Sequence, residues 1–349
     1  MAGHTSTILI LTNSKDATAD YLVTILRRHG QRLVRWDTDS LVDRIRVAYS
    51  IGAPTVFWDG HWYRPEDFTV VWNRRPERLK HSPLEAMPEG RFILDEWSEA
   101  LEGFLSHIAP ARWVNHPSSN AMAAHKLGQL TIARTLGFAV PDTLVTQESE
   151  ELREFYGRHS GTIIVKPLSR GYVERTGNEA DSLIFTNRVL EEHLANLDDL
   201  SSCPTLFQEF IPKLADIRLT VVDADYHPVE LKAEDDGVQR CDIRRDNMQD
   251  VRYQEISLPD EVYSRVRMLM GHYRLRFGAI DFAVANDGRW YFLEINPNGQ
   301  WAWMDLEGAS NIASSFVTGR LETMPSPGFP DSLPLWYGYH KDQATSLPH

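Results

Sequence analysis

The stretch AIDFAVANDGRWYFLEINPN, residues 279–298, constrains the chain more than any other. Two runs of strand-forming residues flank Asp287-Gly288, a dipeptide that supplies two-residue turns between antiparallel strands. With that turn, Asn286 pairs with Arg289, Val284 with Tyr291, Phe282 with Leu293 and Asp281 with Glu294. Directly opposed residues share a face, with Cβ atoms roughly 4.5–5.5 Å apart. Asn296 lies two residues beyond Glu294 and so shares that face too. Like charges opposed in a sheet repel. Two readings are open: a solvated acidic hairpin, or a cation held between the carboxylates. Three hard oxygen donors without histidine or cysteine suit Mg²⁺, which takes few protein ligands and completes its shell with water and phosphate. A one-residue error in the turn would break the pairing.

The remaining sequence narrows the setting for such a hairpin. At 349 residues the chain is long enough for two or three units with cores of their own. Its opening, STILILT, then a helical pattern through Tyr21, Leu22, Ile25 and Leu26, then RLVRWDTD, reads as strand, helix, strand in a parallel α/β unit. No GxGxxG follows the first strand, so dinucleotide binding there is not expected. TVFWDGHWYR reads as a hairpin turning on Asp59-Gly60. A single helix is expected from Asn120 to Gly137, and another around Glu261–Leu275. DIRLTVVDADYHPVELKA reads as a hairpin turning near Asp225.

A net charge of −13 disfavours nucleic acid and anionic membranes as partners. The two cysteines, Cys203 and Cys241, lack zinc-ligand spacing and suit a reducing cytoplasm. The apolar run near the N-terminus is too short for a signal peptide or a membrane span. The expected location is therefore cytoplasmic.

If Mg²⁺ escorts phosphates, cations should converge on the hairpin from elsewhere. Lys166 closes the strand TIIVK before Pro167, as a snorkelling edge residue or as a phosphate ligand. Lys126 sits early in the helix after Asn120, solvated or turned inward. LFQEFIP, residues 206–212, is a connecting strand or a hinge whose backbone reads an adenine edge, with Glu209 near ribose hydroxyls. Arg218 begins the strand DIRLTVV, free to reach phosphate. Arg74-Arg75 and the cluster RCDIRRD are solvated charge or a surface for an acidic peptide.

The order of these elements resembles the ATP-grasp superfamily: a lysine-bearing helix before GFAVPDT, then IIVKPLS, FQEFIPKLADIR and AIDFAV…FLEINPNG. EINPNGQW and VVWNRRP are similar to the microviridin-type, or graspetide, ribosomal-peptide ligases. The resemblance covers about residues 115–318. It implies an α/β ATP-grasp fold with an N-terminal pre-ATP-grasp domain over 1–115, a central lobe over 116–200, a C-terminal lobe over 201–320 and an irregular tail over 321–349. It further implies that Lys126 and Lys166 hold the phosphates of ATP, that Gln208, Glu209, Phe210 and Ile211 form the adenine hinge, and that Arg218 approaches the γ-phosphate. Asp281, Glu294 and Asn296 then hold Mg²⁺, in agreement with the hairpin register. Asp242 and Arg244 resemble the family's DWR element, with Arg244 a cation near the reacting carboxylate. The loop after Lys166 departs from the glycine-dense loop of many relatives, with Gly171 and Gly177 alone.

The implied activity is ATP-dependent ligation within a ribosomal precursor peptide of leader and core, joining Asp or Glu carboxylates to Ser or Thr hydroxyls or Lys amines. A homodimer is also implied. The alternative is an ATP-grasp ligase that joins a free amino acid or small amine to a carboxylate.

Overall fold

The computed structural model describes residues 6–169, 171–173, 182–233, 241–243 and 251–317. Arg244 and the expected tail from 321 lie outside them.

The N-terminal part is built on β1 (Thr7–Thr12), buried at every position. A continuous apolar run of this kind belongs in the middle of a parallel sheet, where both faces are covered. Ile8 and Ile10 pack with α1 (Ala17–Arg28) on one side. Leu9 and Leu11 face the other core. β2 (Leu33–Asp37) lies parallel to β1. β3 (Arg46–Ala48), β4 (Thr55–Trp58) and β5 (His61–Tyr63) form a small antiparallel ribbon. Its β4–β5 turn is Asp59-Gly60, as expected, with left-handed φ of 48° and 81°. β6 (Phe68–Asn73), α2 (Ser82–Glu85), α3 (Gly90–Leu105) and β7 (Trp113–Val114) complete this part. The sheet order is β2-β1-β6-β7, parallel throughout.

Next come α4 (Pro117–Ala123) and α5 (Lys126–Thr135). The expected single helix is thus broken at Ala124-His125. Gln129 of α5 bridges the break: its Nε2 donates to Ala123 O at 2.6 Å, satisfying a carbonyl at the end of α4. Gly137, at φ 86°, ends this segment as expected. β8 (Thr143–Thr146), α6 (Ser149–Arg158), β9 (Ile163–Lys166), β10 (Tyr172–Val173), β11 (Ser182–Leu183), β12 (Asn187–Arg188) and β13 (Thr205–Glu209) follow. They give an antiparallel sheet ordered β12-β9-β13-β8, with β10 and β11 paired separately.

The last sheet contains β14 (Lys213–Val222), β15 (Asp225–Ala233), β16 (Val251–Glu255), β17 (Phe277–Ala285) and β18 (Trp290–Asn296), in the order β16-β15-β14-β17-β18. The β14–β15 turn is Asp223-Ala224, just before the expected Asp225. One face, with Ile217, Leu219, Ile280, Phe282, Phe292 and Ile295, packs on α5 and on α7 (Asp260–Tyr273). The other sends Val222, Val229, Leu231 and Phe277 into one core with Ile8, Ile10, Val70 and Trp72 of the first sheet. α8 (Ala302–Leu306) and α9 (Ile312–Val317) close that core with Met304 and Phe316. No described helix is long and apolar enough to cross a membrane.

Candidate active site

The β17–β18 hairpin pairs Asp281 with Glu294, as expected, by an unexpected route. Its loop is Asn286-Asp287-Gly288: Gly288 N donates to Ala285 O and Ala285 N donates to Arg289 O, both at 2.9 Å. Near the turn the register is therefore one residue off the sequence reading. Val284 opposes Trp290 and Phe282 opposes Phe292. Leu293 then has no partner and bulges, and the ladder resumes with Asp281 opposite Glu294. A bulge inserts one residue without changing the partner strand. Here it keeps Phe292 and Ile295 in the core and leaves Glu294 and Asn296 on the opposite face.

On that face three neighbouring strands form a charged row. Arg218 of β14 is directly opposite Asp281 of β17, which is opposite Glu294 of β18. Arg218 Nη1 donates to Asp281 Oδ1 at 2.7 Å and Oδ2 at 2.8 Å. Lys126, the first residue of α5, continues the row with Nζ 3.6 Å from Glu294 Oε2. The sequence is plus, minus, minus, plus. Two unit charges 4 Å apart interact by about 4 kcal/mol at an effective dielectric constant of 20, so the flanking cations are needed to hold the two acids together. Asp281 and Glu294 remain 32% and 31% exposed, open to a cation from solvent.

Lys126 is placed there by Gln129, one turn along α5 and buried. Gln129 Oε1 accepts from Ile295 N and its Nε2 donates to Ile295 O, each at 2.9 Å. The amide thus substitutes for a neighbouring strand at the edge of β18. Lys126 Nζ also donates to Pro167 O at 2.9 Å and Ser169 O at 3.3 Å, which draws in the loop after Lys166.

Asn296 sits opposite Ala279, and its Oδ1 accepts from Asn298 N at 2.9 Å. A carbonyl oxygen has a second lone pair for a metal. Gly299 closes against this position; a Cβ there would come within 2.3 Å of Ala279 Cβ. Two carboxylates and an amide oxygen, without sulfur or imidazole, fit Mg²⁺. Among the described residues no cluster of three or more His, Cys, Asp or Glu offers another metal site.

The remaining expected residues lie on β9, on β13 and just after it, and, for Asp242, in the segment 241–243. Lys166 pairs with Leu206, and Ile163 with Glu209. Lys166 and Glu209 thus sit at opposite ends of the β9–β13 pair, three residues or about 10 Å apart along the strands. Gln208 is buried and its Nε2 donates to Thr143 Oγ1 at 2.9 Å. Glu209 Oε2 accepts from Asp142 N at 3.2 Å. Phe210 N donates to Thr162 O at 3.1 Å, and Ile211 is buried beside it. Asp242 is buried, with Oδ2 accepting from Thr186 N at 3.2 Å.

One expectation is corrected. Arg74 is no surface cation for a peptide: its side chain is fully buried, 3.3 Å from Asp16, itself fully buried. Burial lowers its pKa to about 9, Asp16 opposing and Arg75 and Arg218 adding to the shift, so it stays charged at neutral pH. Asn115, which the sequence reading passed over, is as deeply buried. Its Nδ2 donates to Phe277 O at 2.8 Å and Pro297 O at 3.1 Å, and its Oδ1 accepts from Phe277 N at 2.8 Å. A lone amide two residues before Pro117 gave no sign of this.

The β9–β13 pair, the β17–β18 carboxylate hairpin and the lysines Lys126 and Lys166 are the elements expected of the ATP-grasp class. The solved structures extend that class. The chain is similar to the macrocyclase MdnC of Microcystis aeruginosa MRC, solved with precursor peptide MdnA, at 26% identity and a TM-score of 0.76, over 90% of this chain and 98% of that one. It is similar to a Chryseobacterium gregarium RiPP-associated ATP-grasp ligase, solved with ADP and a leader and core peptide, at 27% identity and a TM-score of 0.82, over 94% and 100%. D-alanyl-alanine synthetase A of Vibrio cholerae, at 14% identity and a TM-score of 0.56, shares the fold alone. No protein-family model matches the chain, and no curated protein matches it. Over nine-tenths or more of its length the chain is similar to these ATP-grasp enzymes that were solved with precursor peptides, in line with the resemblance read from the sequence.

Proposed function

We propose that the chain is an ADP-forming ligase that cross-links side chains within a ribosomal precursor peptide. The row Arg218–Asp281–Glu294–Lys126 carries the proposal, because it gathers at one hairpin the charges that a metal-bound triphosphate requires. Likeness to ligases solved with leader and core peptides favours a peptide over a free amino acid.

In this reading the nucleotide lies along β9 and β13. Its base meets the backbone around Gln208, Glu209, Phe210 and Ile211. Since Phe210 N–H is bonded to Thr162, the Ile211 N–H is the donor best placed for the adenine edge. Pro212 has none to offer. Lys166 and Lys126 then hold phosphate oxygens at the other end. Asp281, Glu294 and Asn296 hold Mg²⁺, which supplies charge neutralisation to the phosphates. Arg218 positions Asp281 and adds positive charge beside it.

A peptide carboxylate attacks the γ-phosphorus; the bond to the bridging oxygen breaks, and ADP leaves. The acyl phosphate so formed is attacked at its carbonyl carbon by a Ser or Thr hydroxyl or a Lys amine of the same peptide. Phosphate leaves, the nucleophile loses its proton, and an ester or amide ring closes. The chain contributes alignment and charge. Cytoplasmic residence and a homodimer complete the proposal; sedimentation reads the latter.

Incubation with a precursor peptide rich in Thr or Ser and Asp or Glu, with ATP and Mg²⁺, tests it. Each ring removes one water from the peptide mass and yields one ADP. Unchanged peptide mass alongside ligation of a free amino acid would move the chain to the alternative class.

A further inference from the structure

Two motifs that are distant in sequence, WNRRP and NPNGQW, are halves of one contact. Arg74 Nη1 donates to Asn298 O, and its Nη2 donates to Gln300 Oε1 at 2.8 Å. Arg75 Nε donates to the same Asn298 O at 3.3 Å. Gln300 turns its backbone oxygen the other way, accepting from Arg218 Nη2 at 3.3 Å, and Arg218 holds Asp281. Asn298 N holds Asn296 Oδ1. Behind Arg74 stands Asp16, which caps α1 through Thr18 N and Ala19 N and accepts from Thr12 Oγ1 at 2.7 Å. Thr18 Oγ1 donates to Gln300 Oε1 as well.

We infer that Arg74 is a positioning residue for the metal loop: anchored on Asp16 in the N-terminal sheet, it fixes Asn298 and Gln300, and through them Asn296 and Arg218. The inference rests on the metal-site reading above. A guanidinium suits the task because its planar fork serves two acceptors and an anion at once. Lysine keeps the charge and loses the fork. The Arg74 approach to Asp16 is an ion pair without an aligned hydrogen bond from Nε. Its directional bonds are those to the loop. The N-terminal domain thereby sets how readily the loop takes Mg²⁺, although it supplies none of the metal's ligands.

The test compares Arg74→Lys, Gln300→Leu and Glu294→Ala with the parent chain. One readout is the Mg²⁺ concentration for half-maximal binding of the ATP analogue AMPPNP, by calorimetry. The other is hydrogen exchange of the peptide spanning residues 294–300 in nucleotide-free protein. Arg74→Lys and Gln300→Leu should each raise the Mg²⁺ requirement at least threefold and speed exchange of that peptide at least threefold. A merely structural role lowers thermal stability and leaves the Mg²⁺ requirement within threefold, which overturns the inference. If Arg74→Lys fails to fold, Gln300→Leu decides alone, since it leaves the Asp16 ion pair in place. Glu294→Ala separates the two claims. If it raises the Mg²⁺ requirement and Gln300→Leu does not, only the positioning role falls. If Glu294→Ala has no effect, the metal site and the positioning role fall together.

Discussion

The molecule contains two hairpins that turn on Asp-Gly, and they use the dipeptide differently. Asp59-Gly60 forms a two-residue loop with both residues left-handed, and Trp58 pairs with His61. This is the primed turn whose twist matches the strands. Asp287-Gly288 forms the end of a three-residue loop, with Gly288 alone left-handed at φ 81° and Asn286 drawn into the turn. The first hairpin joins short strands of a small ribbon, where the local turn preference is unopposed. The second joins strands of nine and seven residues whose inner faces carry Phe282, Phe292 and Ile295 at or below 2% exposure. There the core selects which residues point inward, and the bulge at Leu293 reconciles the core with the turn. A turn signal thus sets the start of a ladder, and burial sets its far end.

The strongest way to break that account is to give Leu293 a partner. One alanine inserted between Asp281 and Phe282 removes the bulge, turns Asp281 and Glu294 onto the core face beside Phe282 and Phe292, and turns Ile280 and Ile295 out of it. Burying each carboxylate there costs about 3–5 kcal/mol. Peptide-dependent ADP formation should fall by about a thousandfold or more, together with the unfolding midpoint. The same insertion in the β4 strand, beside Val56, should leave ADP formation within about tenfold if the protein folds. ADP release and circular dichroism on the two variants check this. Normal turnover from the first insertion would show that the acids need not share a face.

What the sequence revealed follows the same division. β1 was legible because a strand buried on both faces is an uninterrupted apolar run. The pairing of Asp281 with Glu294 was legible because two compensating shifts cancel, the third loop residue against the bulge. The direction of Arg74 was not legible. Its acceptors on Asn298 and Gln300 are 224 and 226 positions away, and its neighbours Asn73, Arg75 and Pro76 read as a solvated strand end. Gln129 is a second case. One amide on a helix has no local mark that it will serve the backbone of Ile295, and the break at Ala124-His125 that aims it is a tertiary effect. Polar groups buried by distant partners escape periodicity arguments, which see only the apolar pattern.

A milder change sharpens the comparison by removing the bulge without moving the acids. Deleting Leu293 leaves Phe282 opposite Phe292 and lets Glu294 follow directly, still opposite Asp281. The variant should bind AMPPNP with Mg²⁺ and retain turnover within about tenfold of the parent, because a regular ladder replaces an irregular one. Had the loop been the two-residue turn of the sequence reading, the same deletion would push Glu294 out of line and abolish turnover. The activity of this one variant therefore distinguishes the two registers in solution.

The smallest effect concerns the turns themselves. Gly60 and Gly288 each lie at φ 81° with open space where a Cβ would go, so alanine at either site meets backbone strain and no steric clash. Each substitution should cost about 1–2 kcal/mol. Equal losses in chemical denaturation, with kcat within about twofold for both, are expected, because the bulge separates the Gly288 turn from Glu294. If Gly288→Ala alone lowers kcat by more than about fivefold while Gly60→Ala does not, strain at the turn reaches the carboxylates through the ladder, and Leu293 does not insulate the site from its loop.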